Sequence, residues 1–153
     1  MALIELRLPL VESTTPADVR AFIRQAEKRI ERFQWTRTVP GFVASDFSLC
    51  YRALRAVAAA NLAPGNAFCE WGSGFGAVAC IAAMLDFDAS GIEIEGELVE
   101  AAQQLAADFD LPVEFVRGSF IPRGEERWIS REDEFAWFDT SAGSAYEELG
   151  RHP

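Results

Sequence analysis

Three glycines at alternate positions, in Glu70-Trp71-Gly72-Ser73-Gly74-Phe75-Gly76, restrict this chain more than any other feature. They follow a short apolar run, Ala67-Phe68-Cys69, and precede a small-residue run over residues 77–85, so they fall where a strand should turn into a helix. In an open parallel sheet that turn is where ligands bind, because glycine lets the backbone approach a ligand and the helix behind it presents unpaired amides. The rhythm continues with a second strand over residues 90–94. Leu98, Ala101, Ala102, Leu105 and Phe109 then recur at helical spacing, and a third strand over residues 113–116 follows Leu111-Pro112. Strand, helix, strand, helix, strand predicts parallel pairing through right-handed crossovers, hence an α/β fold with a three-layer Rossmann-like sheet covered by helices.

Upstream of this unit the pattern is helical. Residues 3–8 alternate, with Ile4, Leu6 and Leu8 on one face, and predict a short strand ended by Pro9. Ser13-Thr14-Thr15-Pro16 is a helix start, and Val19, Phe22, Ile23, Ala26, Ile30 and Phe33 continue an amphipathic arm helix. Residues 34–44 contain Pro40-Gly41 and read as a loop. Ser45 is placed to cap a second helix with the apolar face Phe47, Cys50, Tyr51, Leu54, Val57 and Ala58, which Pro64-Gly65 ends. The chain thus divides into an N-terminal arm, residues 1–45, and a cofactor-binding domain, residues 46–153, truncated at its C-terminal side. In the tail, residues 123–134 are a charged stretch expected as a solvated loop. Phe135-Ala136-Trp137-Phe138 fits either a fourth strand or an aromatic plug.

Composition removes whole classes of function. At 153 residues the chain holds one domain and a flanking arm. With 24 acidic against 14 basic residues, a formal charge of -10 repels phosphate backbones and anionic lipid, so neither DNA nor a membrane is an expected partner. The single histidine, His152, and three cysteines without a CxxC spacing exclude zinc sites and histidine triads. Cys50, Cys69 and Cys80 each sit in an apolar stretch and are expected in the core of a protein from a reducing compartment. The first ten residues place Glu5 and Arg7 inside their apolar run and so lack the core of a signal peptide; the longest apolar run, residues 77–85, is too short to span a bilayer. A cytoplasmic location is expected.

Two carboxylates specify the glycine loop further. Gly72-x-Gly74-x-x-Ala77 alone satisfies a loose dinucleotide fingerprint. Glu70, however, stands two residues before the first glycine, where an anion would repel a pyrophosphate and attract a cationic ligand. S-adenosylmethionine offers an ammonium and a sulfonium, with a carboxylate for the helix amides. Glu93 lies 21 positions after Gly72 at the end of the next strand, where a carboxylate accepts hydrogen bonds from both ribose hydroxyls at once. Both NAD and S-adenosylmethionine need that acid.

At these residues the chain resembles the class I S-adenosylmethionine-dependent methyltransferases. Their first motif, acid-x-Gly-x-Gly-x-Gly, is matched by Glu70 to Gly76, and Gly91-Ile92-Glu93-Ile94 is similar to their second strand. Val116-Arg117-Gly118-Ser119-Phe120 resembles the end of their third strand, with Ser119 where the family often has the aspartate that holds the adenine amino group. The resemblance covers about a third of the chain, residues 67–120. It implies a methyltransferase acting on an unidentified small-molecule, protein or RNA acceptor, with the cofactor held by Glu70, Gly72, Ser73, Gly74, Gly76, Glu93 and Ser119.

The family's fourth-strand motif and its further strands are not visible, and Asp139 is the sole acid at a plausible fourth strand tip. The chain is then either a shortened member or a fragment that stops near strand four; a fragment is expected, with the uncovered edge of strand one open to self-association. Two rival readings follow. One is a methyltransferase-like binding or regulatory module without catalysis; the other is an NAD-dependent oxidoreductase, which the glycine spacing permits and Glu70 opposes.

Other features carry a functional and a plain reading. Arg20, Arg24, Lys28 and Arg32 recur every four residues, as a contact for an acidic acceptor or as a solvated face balanced by Asp18, Glu27 and Glu31. Trp35 and Phe42 could stack on a ligand or pin their loop to the core. Glu95 and Glu97 read as plain surface acids.

Overall fold

The structure is a computed structural model that describes residues 14–121. The strand expected over residues 3–8, the tail from residue 123, the aromatic run at 135–138, Asp139 and His152 lie outside the described residues. The order of elements is α1 (Ala17–Thr36), α2 (Phe47–Ala59), β1 (Ala67–Trp71), α3 (Ala77–Ala83), β2 (Asp88–Glu93), α4 (Gly96–Asp108) and β3 (Glu114–Arg117).

The spacing of apolar residues decides α1: Val19, Phe22, Ile23, Ala26 and Ile30 form one buried stripe. Pro16 sits immediately before the first helical residue, where its missing N–H costs nothing, and its carbonyl accepts from the Arg20 amide at 3.0 Å. Helix α2 starts one residue later than Ser45 would place it. Asp46 is the cap, its carboxylate accepting from the Leu49 amide at 2.9 Å, and this register buries Phe47 and Tyr51.

Three helices stop by the same device. Asn61, Asp86 and Asp110 have φ of 50°, 65° and 51°, the left-handed region that short polar side chains tolerate. After each, the amide of an apolar residue reaches back to a carbonyl five residues earlier: Leu62 to Val57, Phe87 to Ala82 and Leu111 to Ala106. The chain therefore leaves α2 at Asn61, ahead of the Pro64-Gly65 pair expected to end it.

The three strands are parallel in the order β1-β2-β3, with Glu70 beside Gly91 and Trp71 beside Ile92, and with Gly91 beside Phe115 and Ile92 beside Val116. The register puts Glu70, Gly91, Glu93 and Phe115 on one face and Cys69, Trp71, Ser90, Ile92 and Val116 on the other. Helices α3 and α4 lie against the first face, α1 and α2 pack on α3, and all four share one hydrophobic core with Phe115. Phe22 of α1 meets Phe109 edge to face, with ring centroids 5.0 Å apart.

On the second face Ile92 and Val116 form a small separate cluster with Phe120, whose ring stacks on Trp71 at 5.7 Å. This is an α/β fold with an incomplete Rossmann-like sheet, one helical layer of which falls within the described residues. Cys69 departs from expectation. It is exposed, because its parity in β1 turns it away from the helices, whereas Cys80 is buried and Cys50 is partly buried. Among the described residues no helix is long and apolar enough to cross a membrane.

Candidate functional site

The glycine loop bends through three left-handed residues, Gly72, Gly74 and Gly76, with φ of 64°, 53° and 66°. Two of them also require the absence of a side chain. A Cβ on Gly76 would lie 2.2 Å from the Phe115 ring, and one on Gly74 would lie 2.7 Å from the Phe42 ring. The loop is tied to β2 twice, by the Ser73 amide to the Ile92 carbonyl at 3.0 Å and by the Gly74 amide to Glu93 Oε2 at 2.8 Å.

Glu93 is buried, and its carboxylate is largely committed to backbone. Besides Gly74, Oε1 accepts from the amides of Ile94 at 2.8 Å and Glu95 at 3.0 Å. A carboxylate has roughly four lone-pair sites, so about one remains for a ligand hydroxyl rather than the pair expected for a ribose. Its burial also removes the plain reading of a strand-end acid facing water.

Glu70 points inward. Gly76, the first residue before α3, has no side chain to cap the helix, and Glu70 Oε2 takes that role by accepting from the Ala79 amide at 2.8 Å. The residue is half-buried and keeps surface toward the cavity. Burial pushes its carboxyl up to about 8; the Ala79 hydrogen bond counteracts this, and the charge of Glu93 adds to it. At pH 7 the carboxyl is therefore held mainly as the neutral acid.

Above the loop is a cavity of about 570 Å³. Glu70, Gly72, Ser73, Gly74, Glu93 and Ser119 all line it, so the fold brings together the residues singled out in the sequence, except Gly76, which packs below against Phe115 and Ala102. Its roof is the connection between α1 and α2, residues 39–45, which enters the cavity wall with Val39, Phe42 and Val43. Phe42 stacks on Phe75 at 5.8 Å and meets Phe33 edge to face at 6.2 Å, so it pins the roof to the core over Gly74. Of the two roles open to Phe42, stacking on a ligand or pinning its loop to the core, the packing gives the second. The signal for the roof was there in the apolar residues flanking Pro40-Gly41.

Trp35 is 82% exposed and is not part of the lining. Arg20, Arg24, Lys28 and Arg32 are exposed and likewise stand apart from it. Among the described residues the cation of α1 that finds an acid is Arg29, off the stripe, which pairs with Asp108 of α4 at 2.5 Å; its hydrogen bond, followed by one from Gln104, holds the Asp108 carboxyl below the usual range.

Two hydroxyls complete the site. Ser119 is buried, and its Oγ accepts from the Ile121 amide at 3.2 Å, leaving its own proton to donate. Ser73 is 5% exposed, and its Oγ has no hydrogen-bond partner. A buried hydroxyl without a partner costs about 1–3 kcal/mol, a cost that a polar ligand in the cavity would remove. Among the described residues lining the cavity, Glu70, Glu93 and Glu95 are acidic and none is basic. Among the described residues no group of three His, Cys, Asp or Glu side chains is arranged to hold a metal ion.

A solved methyltransferase from Geobacter sulfurreducens is similar in structure at 18% sequence identity, over 72% of this chain and 60% of its own, with a TM-score of 0.44. No family model and no curated protein matches the sequence. The chain thus spans about 60% of the length of that solved structure.

Proposed function

We propose that the chain binds S-adenosylmethionine and transfers its methyl group to an acceptor. One observation carries this reading: a cavity over a glycine loop whose described lining holds three acids and no base. A diphosphate entering it would meet Glu93 and Glu95 without a cation to compensate, and the α3 amide nearest Glu70 is already taken. An amino-acid nucleoside with a positive charge fits the same surroundings. The volume lies within the roughly 300–1,000 Å³ of small-molecule sites.

Glu70 faces the cationic end in this reading, the remaining site on Glu93 takes one ribose hydroxyl, and Ser73 and Ser119 supply hydroxyl partners. The sulfonium supplies an already activated methyl group. What the chain contributes is positioning and the exclusion of water by the roof over residues 39–45.

Calorimetry with S-adenosylhomocysteine and NADH side by side tests the assignment. Heat from S-adenosylhomocysteine alone is expected, and heat from NADH alone overturns it. A second reading, a binding module without transfer, is favoured by the state of the two buried acids. Glu93 is committed to three amides and Glu70 carries its proton, so neither stands ready as a base. Incorporation of labelled methyl groups into any protein, RNA or small-molecule fraction of a lysate decides for transfer.

A further inference from the structure

We propose that this cavity takes its cation in exchange for a proton at Glu70: the carboxyl gives its proton to solvent through the cavity mouth, and the resulting carboxylate accepts the ligand's ammonium. This specificity device rests on the reading of the cavity as a site for a cationic amino-acid nucleoside.

The geometry supplies the two halves of the exchange. Glu70 Oε2 is fixed by the Ala79 amide, whereas among the described residues Oε1 accepts no hydrogen bond, and the residue lines the cavity. The titratable groups that face Glu70 are Cys50 from α2, Cys80 from α3 and Glu93 from β2, and Asp46 stands at the start of α2 beside Cys50. Every one of them is neutral or negative. No side chain in the described lining can balance a charge on Glu70, so the balancing charge has to arrive with the ligand. Ser73 points to a polar ligand independently, since its buried Oγ lines the same cavity without a partner.

The direction of the linkage follows. In the free site burial pushes the Glu70 carboxyl up to about 8, so near pH 7 it carries a proton. An ammonium beside it favours the charged form and lowers that value, and binding then expels the proton. By the same reasoning an anion such as a diphosphate favours the protonated form and expels nothing. Glu70 thereby separates ligands by charge even though it is uncharged while it waits.

The test is calorimetry of S-adenosylhomocysteine at pH 7 in two buffers of different ionisation enthalpy, with the intact chain. We expect release of close to one proton per molecule bound. Affinity should rise about tenfold per pH unit below pH 8 and level off above it. Glu70→Gln should bind with no release, and Glu95→Gln, which changes another lining acid, should release as the parent does. Binding of S-adenosylhomocysteine without proton release overturns the exchange and leaves the cofactor assignment standing, whereas no binding at all overturns both. Release undiminished in Glu70→Gln also overturns it. Should that variant not fold, the proton count and the levelling of affinity near pH 8 in the parent decide alone.

Discussion

The carboxylate of Glu93 holds the amide of Gly74 at 2.8 Å, across the gap between the end of β2 and the middle of the glycine loop. The residue expected to bind a nucleoside is thus also the clasp that shapes the loop. Glu93→Ala should destabilise the fold by about 3 kcal/mol, because it leaves the buried amide of Gly74 and the part-buried amides of Ile94 and Glu95 without their charged acceptor. Glu93→Gln should lose less, since its amide oxygen still accepts. Urea midpoints measure both, and an unchanged midpoint for Glu93→Ala removes the clasp.

Glu70 sets a pH dependence of stability. Its carboxyl titrates near 4.5 in the unfolded chain and at about 8 in the fold, so between those values the native state holds a proton that the unfolded state has released. Stability then falls as pH rises from about 4.5 to 8 and is flat with respect to this group above that. Glu70→Gln keeps an oxygen for the Ala79 amide and removes the slope. At pH 7 it should be the more stable protein by on the order of 3 kcal/mol. Equal slopes of unfolding free energy against pH in the two proteins would contradict this.

The loop glycines should not be equivalent. Gly72→Ala meets open space and suffers chiefly from its positive φ, a cost of about 1 kcal/mol. Gly76→Ala suffers the same strain and also drives a methyl group into the Phe115 ring, so a loss of about 3 kcal/mol or more is expected. Thermal unfolding of the two variants ranks them, and the reverse order would contradict the packing of Phe115 under the loop.

Thiol chemistry should follow burial. Cys80 is buried, and burial, followed by the charge of Glu70, pushes its thiol up to about 12; burial also raises Cys50. Iodoacetamide should therefore alkylate exposed Cys69 first, Cys50 slowly, and Cys80 on unfolding. Peptide mass spectrometry over time reads the order directly.

Much of this architecture was legible beforehand because it rests on local signals. Alternating glycines between an apolar run and a helix marked the turn over which the cavity lies, and the short apolar runs marked three parallel strands. What escaped depends on partners distant in sequence. Whether Ser45 or Asp46 caps α2 is settled by which register buries Phe47. The outward face of Cys69 is settled by the side of the sheet on which α3 and α4 lie. The upward push on the Glu70 carboxyl was hidden for the same reason: burial raises it to about 8, and the groups that bury it come from elsewhere in the sequence. That Phe42 pins its loop was open to a reading of the sequence, but not that it does so over Gly74, 32 positions later.

That Phe22 of α1 rests on Phe109, beyond the end of α4, also bears on synthesis. The α1 stripe finds α3 earlier, but Phe22 must wait some ninety further residues before its ring partner exists. Arg29 waits equally long for Asp108. During that interval Phe22 is a natural target for chaperones, and a stall in translation before the end of α4 would leave it without that cover.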